Sequence, residues 1–391
     1  MFAERGTDAE DVIRSLEDVL KKDCTYRSGR PVASMSTIPH SLGIEILTRY
    51  AEKNAGRLHS FPGTAIIEKE LIEMLGDLLH LEAPLGTTTS GGTESNILAV
   101  LSHRELGRRR TTGPEIVAPE TVHPSVDKAA WLLGIRIKKT PVDDEYRAMP
   151  SEMEKQITCD TVGLVATAGT TYVGQIDPIE SIASIARDHG LPLHVDAAFG
   201  GFVIPFLRDL GMSDHRFDFE IEGVTSVSID PHKMGLAPIP AGCLLMREKD
   251  HLDAITRTIP YLRGTSSRQS TLLGTRPAST ILSAWAIMKH LGREGYRNIV
   301  RECMRNTQHS VDRIAANPRL ELVIRPVMNI VAFRVQEEQL DQVADRMESM
   351  GWSTAISPLP PSMRLIVMPH VTGDVLDDFF DDLDTVLRGG Y

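Results

Sequence analysis

The chain has 391 residues, 41% hydrophobic and 24% charged, which is ordinary for a globular protein and long enough for a large core plus a smaller domain. Its 53 acidic against 42 basic residues give a formal net charge of −11 with no long Lys/Arg run, which argues against nucleic acid or an anionic membrane as partner. No apolar run approaches the ~18 residues that span a bilayer, the N-terminus has no signal-like apolar stretch, and Cys24, Cys159, Cys243 and Cys303 form no CxxC, so a cytoplasmic, metal-free protein is expected.

Val12, Ile13, Leu16, Val19 and Leu20 recur at helical spacing within residues 7–22, an amphipathic helix suited to its own domain or to a partner subunit. Residues 23–43 are rich in Ser, Gly and Pro and read as irregular, 43–54 as helix, Phe61 to Thr64 as a turn, and 65–81 as helix again. A small-residue loop, Gly86-Thr87-Thr88-Thr89-Ser90-Gly91-Gly92-Thr93-Glu94-Ser95-Asn96, then feeds a helix expected over 97–106. Arg108-Arg109-Arg110 reads as its solvated end. Strands follow at 116–119, 133–140, 163–168 and 192–196, separated by helices from 126, around 150–157 and over 178–189. This alternation predicts a mostly parallel sheet with helices on both faces.

Three features along this sheet carry chemistry. In the loop before residue 97, glycines admit close approach of an anion, and a helix N-terminus adds unpaired N–H donors, so the loop is a phosphate site in principle. It matches neither GxxxxGK[ST] nor GxGxxG, and an ordinary capped turn is the alternative. Asp196 ends a strand beside small Ala197, Ala198, Gly200 and Gly201, where a carboxylate can approach a flat ring or cap a helix. In Ser226-Val227-Ser228-Ile229-Asp230-Pro231-His232-Lys233-Met234-Gly235, Pro231 ends a buried strand and Lys233 sits just past its end. Open α/β sheets bind ligands there. A lysine so placed is either solvated or able to form a Schiff base with the aldehyde of pyridoxal 5′-phosphate (PLP).

Gly242 to Met246 reads as a strand returning from the lysine turn, and 258–278 as a long loop containing Tyr261, Arg263, Arg268 and Gly274-Thr275-Arg276. Helices over 279–291 and on to 317 are joined through Gly292 to Gly295. The remainder reads as a small α+β unit, with strands at 320–325, 328–335, near 356 and at 363–368, and helices over 337–350 and 375–387.

Taken in order, Thr89 to Asn96, His123, Ala168-Gly169-Thr170-Thr171, His194 to Gly201, Asp230-Pro231-His232-Lys233, Leu272 to Arg276 and Arg364 to His370 make the chain resemble the group II PLP-dependent amino-acid decarboxylases of fold type I. Within that family the likeness is to the archaeal tyrosine/aspartate decarboxylase branch, over nearly the whole chain. The resemblance implies an N-terminal dimer-packing segment (1–54), a large PLP-binding α/β domain (55–290) with a mostly parallel, seven-stranded-type sheet, and a small C-terminal α+β domain (291–391). It also implies a homodimer with interface active sites.

By the same resemblance Lys233 would carry PLP, Asp196 would pair with its pyridine nitrogen, and His123 and Ala198 would flank its ring. Gly92, Thr93, Ser228 and His232 would hold its phosphate. Thr170 would contact the cofactor or the carboxylate, and Gly274 and Thr275 would reach the neighbouring subunit's phosphate. Arg364 would hold the substrate α-carboxylate, and Tyr261 is the candidate for returning a proton to Cα. Asp230 stands where many relatives have Asn and Phe199 where several have Trp. A structural role for Asp230 is expected, since a second anion would repel a phosphate.

The implied activity is α-decarboxylation, of L-tyrosine to tyramine for methanofuran, of L-aspartate to β-alanine for coenzyme A, or of both. The competing readings are a carbon–carbon lyase of the sphingosine-phosphate-lyase type and a catalytically silent binding subunit.

Overall fold

The computed structural model describes residues 2–108, 110–262, 267–336 and 339–389. Arg109, Arg263 and the expected helix start at Glu337 lie outside them.

The first helix, α1 (Ala9–Leu20), is capped by Asp8, whose side chain accepts from the Glu10 N–H at 2.9 Å. None of its residues is buried, and its apolar row of Val12, Ile13, Leu16, Val19 and Leu20 is exposed. α2 (Ser41–Arg49) follows, then α3 (Pro62–Leu78). The Phe61–Thr64 turn of the sequence reading is the start of α3 instead. Pro62 occupies its first position, where a missing N–H costs nothing and the fixed φ suits a helix.

The large sheet is built from β1 (Leu85–Thr89), β2 (Glu115–Pro119), β3 (Arg136–Thr140), β4 (Thr161–Thr167), β5 (Leu193–Asp196), β6 (Val224–Ile229) and β7 (Gly242–Met246). Between these strands run α4 (Gly92–Gly107), α5 (Pro124–Leu133), α6 (Pro150–Lys155), α7 (Ile179–Asp188) and α8 (Ile204–Asp209). The strand order is β1-β7-β6-β5-β4-β2-β3, and only β7 runs antiparallel to its neighbours. β2, β4, β5 and β7 are buried along their whole length, as expected of strands covered on both faces.

Two boundaries differ from the sequence reading. The Gly86–Ser90 run is largely strand, because Leu85 to Thr89 pair residue for residue with Met246 to Gly242. α4 begins at Gly92, five residues earlier than the apolar periodicity suggested, since glycine and threonine give no hydrophobic signal.

After β7 come α9 (Lys249–Ile255) and a two-stranded ribbon, β8 (Arg257–Thr258) with β9 (Arg268–Gln269), inside the stretch read as loop. α10 (Ala278–Ala316) carries a break at Gly292 (φ 55°, ψ −173°), a conformation open to glycine. The second sheet is antiparallel, in the order β10 (Leu320–Leu322), β11 (Ile330–Val335), β13 (Pro361–Ile366), β12 (Ile356–Pro358). It packs with α11 (Leu340–Ser349) and α12 (Gly373–Leu387) around Phe333, Trp352, Phe379 and Phe380. This is the fold-type-I arrangement, a large mixed sheet with helices plus a small C-terminal sheet. Val32 joins the small core, and its carbonyl accepts from the Ile366 N–H at 2.8 Å, so the N-terminal segment spans both units. No helix among the described residues is long and apolar enough to cross a membrane.

Candidate active site

The C-terminal ends of β1, β4, β5 and β6 converge on a cavity of about 340 Å³. It is lined by the Ser90–Thr93 loop, His123, Asp196, Ala198, His232 and Lys233, together with Met35, Asn96, Thr171, Phe199 and Asp230. A larger, more open cleft of about 990 Å³ runs beside α3. Its charged residues come from α3 and the turn after it rather than from the C-terminal ends of sheet strands, so we place the chemistry in the smaller cavity.

Asp196 forms the anionic wall of this cavity. Its Oδ1 accepts from the Ala198 N–H (3.0 Å) and the Ser228 hydroxyl (3.1 Å), and its Oδ2 accepts from Asn96 Nδ2 (2.7 Å). Burial works to raise its pKa, but Lys233, His123, His194 and the Ala198 N–H together hold it below the ordinary value. His123 caps α5, its Nδ1 facing Ser125 Oγ at 2.8 Å and accepting from the Ser125 N–H at 3.1 Å. Burial above all lowers the His123 pKa, Lys233 and Arg364 push it further down, and Asp196 and Asp230 oppose them.

Lys233 extends from the turn after β6, with Nζ 3.4 Å from Asp230 Oδ2. The same Asp230 oxygen accepts the Gly92 N–H at 2.9 Å and lies 3.8 Å from His232 Nε2. His232 is itself fixed by the Ala241 carbonyl, 2.6 Å from its Nδ1. A Cβ at position 92 would come within 2.9 Å of the Ala198 Cβ and 3.1 Å of Asp230 Oδ2, so only glycine fits this corner.

Several expected site residues fall elsewhere. The Thr170 side chain is wholly buried and accepts from the Gln175 N–H at 3.0 Å, closing its own turn, while Gly169 and Thr171 face the cavity. Ser228 is also fully buried and braces Asp196 rather than reaching the phosphate loop. The Gly92 N–H, expected to bind phosphate, is taken by Asp230. Tyr261 is 79% exposed and does not line the cavity of its own chain.

Gly274 and Thr275 also lie outside it, on a segment tied back by Arg276 to Glu68 (3.1 Å) and by the Leu272 N–H to Glu94 Oε1 (3.0 Å). Arg364 sits on β13, an inner strand of the small sheet, donating from Nη1 to the Thr171 carbonyl (2.5 Å) and from Nη2 to the Ala33 carbonyl (3.4 Å). Its Nε is buried without a hydrogen-bond partner among the described residues.

Over residues 1–336 the chain matches the family model described as the pyridoxal-dependent decarboxylase conserved domain. The chain belongs to that family. It is a PLP-dependent decarboxylase. It is 44% identical over 387 residues, 99% of each chain, to a relative from Pyrococcus abyssi named probable L-aspartate decarboxylase. It is 43% identical over 384 residues, 98% of this chain and 100% of the other, to one from Methanocella arvoryzae named probable L-tyrosine/L-aspartate decarboxylase. Among solved structures, the sphingosine-1-phosphate lyase of Burkholderia pseudomallei superposes with a TM-score of 0.89 at 27% identity, covering 99% of this chain and 92% of that one.

The cavity of this decarboxylase fits its cofactor. A buried carboxylate suits a protonated pyridine nitrogen, a lysine stands at a strand end, small Ala198 and the His123 ring leave room for a flat heterocycle, and a helix N-terminus suits a phosphate.

Two residues that complete the site, Asn96 and His194, had no assigned role in the sequence reading. His194 precedes Asp196 by two positions on β5, so both side chains project from the same sheet face, and both meet Asn96. That alternation was the available signal. Met35 reaches the cavity from the irregular N-terminal segment, where no periodicity marked it.

Proposed function

We propose that this decarboxylase removes the α-carboxyl group of L-aspartate, giving β-alanine and CO₂. The observation that carries the reading is the convergence of Lys233, Asp196, His123 and Ala198 on one cavity, in a chain 44% identical to a relative named for L-aspartate. L-Tyrosine, giving tyramine, is the second substrate, favoured by the relative named for both amino acids. On this reading β-alanine would serve coenzyme A synthesis and tyramine methanofuran synthesis.

When bound, PLP supplies an electron-accepting ring conjugated to the substrate nitrogen. Lys233 would hold it, and Asp196, whose pKa is lowered, would keep the pyridine nitrogen protonated. Ala198 and His123, both lining the cavity, would confine the ring. Thr93 in the first turn of α4 and His232 hold the phosphate, while Gly92 keeps that turn in place through Asp230. The Arg364 fork would hold the α-carboxylate and fix its direction.

We further infer a homodimer. Tyr261, Gly274 and Thr275 then act in the neighbouring copy's cavity, Tyr261 returning the proton to Cα. The exposed apolar row of α1 and exposed Leu272 and Leu273 support that assembly.

The deciding experiment is CO₂ release from each of the twenty amino acids by the PLP-loaded protein. L-Aspartate is expected to lead and L-tyrosine to follow. Preference for any other amino acid, or release from none, would refute the substrate reading.

A further inference from the structure

Asn96 lies on α4, 1% exposed, between the two halves of the site. Its Nδ2 is 2.7 Å from Asp196 Oδ2 and 2.8 Å from Ser125 Oγ. Its Oδ1 is 2.9 Å from His194 Nε2, and His194 Nδ1 is 2.9 Å from Ser226 Oγ. Ser125 Oγ is in turn 2.8 Å from His123 Nδ1. Asn96, Ser125, His194 and Ser226 are all buried, so each polar atom needs its partner from within this network.

With Asp196 ionised and His194 neutral, as their lowered pKa values favour, the donors and acceptors admit one assignment. An ionised carboxylate only accepts, so the Asn96 group facing Asp196 is the NH₂, and its two hydrogens go to Asp196 and Ser125. Asn96 Oδ1 must then accept, which puts the His194 proton on Nε2 and makes His194 Nδ1 the acceptor of the Ser226 hydroxyl. The Ser125 backbone N–H donates to His123 Nδ1 at 3.1 Å, so that nitrogen is an acceptor and carries no proton. Ser125 Oγ, 2.8 Å from the same nitrogen and already receiving one Asn96 hydrogen, then turns its own hydrogen to it.

We propose that Asn96 is a positioning residue that sets the proton positions of both site groups at once, holding Asp196 as the anion and, through Ser125, fixing His123 as its Nε2–H tautomer. The proposal rests on the reading of this cavity as the PLP site and adds a specific chemical property to it. His123 Nε2 has no partner among the described residues, and with its proton fixed there the ring offers a hydrogen-bond donor and no lone pair. His123 then acts toward a bound cofactor or substrate as a proton donor, not as a base.

Neutron diffraction from crystals of the deuterated apoprotein tests the assignment without turnover. Deuterium is expected on Nε2 and absent from Nδ1 in both His123 and His194; deuterium on His123 Nδ1 overturns the proposal. Histidine-selective nitrogen NMR of Ser125→Ala, a milder change than any at Asn96, is expected to show the His123 Nδ1 resonance shifted, since only the Ser125 backbone N–H still donates to it, with His194 unchanged. In Asn96→Asp, which has no N–H to give, both rings are expected to shift. A His123 signal identical to wild type in both variants overturns the coupling. Loss of PLP binding in wild type with the tautomers as assigned would count against the cofactor-site reading alone.

Discussion

Gly92 gives its backbone N–H to Asp230 Oδ2 at 2.9 Å, so a carboxylate 138 residues away in sequence, rather than a ligand, fills the first donor of α4. The same oxygen faces Lys233 Nζ at 3.4 Å, and one buried side chain therefore ties the phosphate loop to the lysine turn. Asp230→Ala leaves the Gly92 N–H without its partner and should cost the apoprotein ~1–3 kcal/mol. Asp230→Asn keeps an accepting oxygen and should cost clearly less. Denaturant midpoints of the two variants read the difference; equal losses would show that the Gly92 bond contributes nothing.

Asp196→Asn should retain PLP but lose turnover by roughly two or more orders of magnitude, the size seen when other electrostatic stabilisers are removed. On the proposed reading the substitution removes the charge that would face the pyridine nitrogen. It also turns an NH₂ toward a site now furnished entirely by donors: Asn96, Ala198 and Ser228. Near-normal kcat with saturating cofactor would reduce Asp196 to a brace.

Arg364→Lys should leave PLP absorbance intact while raising KM and lowering kcat for L-aspartate. A single ammonium cannot hold the Thr171 and Ala33 carbonyls and also present a fork to a carboxylate. Amine product and pyridoxamine phosphate should be followed together, because a carboxylate free to rotate exposes Cα to misplaced protonation. An unchanged kcat/KM for both L-aspartate and L-tyrosine would assign Arg364 to holding the small sheet in place.

Burial pushes His194 down to about 4, against an ordinary 6.5, so the fold favours its neutral form. The associated stability is fully present above pH 6.5 and is lost as pH falls toward the folded value. That loss comes to about 2 kcal/mol by about pH 5. His194→Gln should flatten this part of the stability profile. Unfolding free energies of wild type and variant at about pH 7.5 and about pH 5 give the comparison, and parallel losses would contradict the assignment.

The apolar row of α1 has no cover among the described residues of its own chain. Val12→Asp combined with Leu16→Asp should weaken the proposed dimer without disturbing the protomer core. Sedimentation equilibrium should give twice the chain mass for wild type and a smaller average for the variant. A monomeric wild type would remove the basis for placing Tyr261, Gly274 and Thr275 in a neighbouring cavity.

The sequence alone determined six of the seven strands of the large sheet and brought Lys233 and Asp196 to strand ends, because both depend on local signals; β1, rich in glycine and threonine, read as loop. Buried apolar runs marked β4 to β7, a proline closed β6, and Lys233 and Asp196 were placed by being the polar residues at strand ends. Helix starts at Pro62 and Gly92 were less legible, since caps and glycines carry no hydrophobic period.

What only tertiary structure decided was which partner each polar atom takes. Thr170 and Ser228 sit in motifs at the cavity rim, yet their hydroxyls are consumed by Gln175 and Asp196. The Gly92 N–H is consumed by Asp230, and Asn96 joins residues 29, 98 and 100 positions away. A hydrogen bond requires atoms within about 3 Å in the right direction. Sequence spacing supplies that within a turn or along a strand, but across helix and sheet it arises only when the packed layers bring the atoms together.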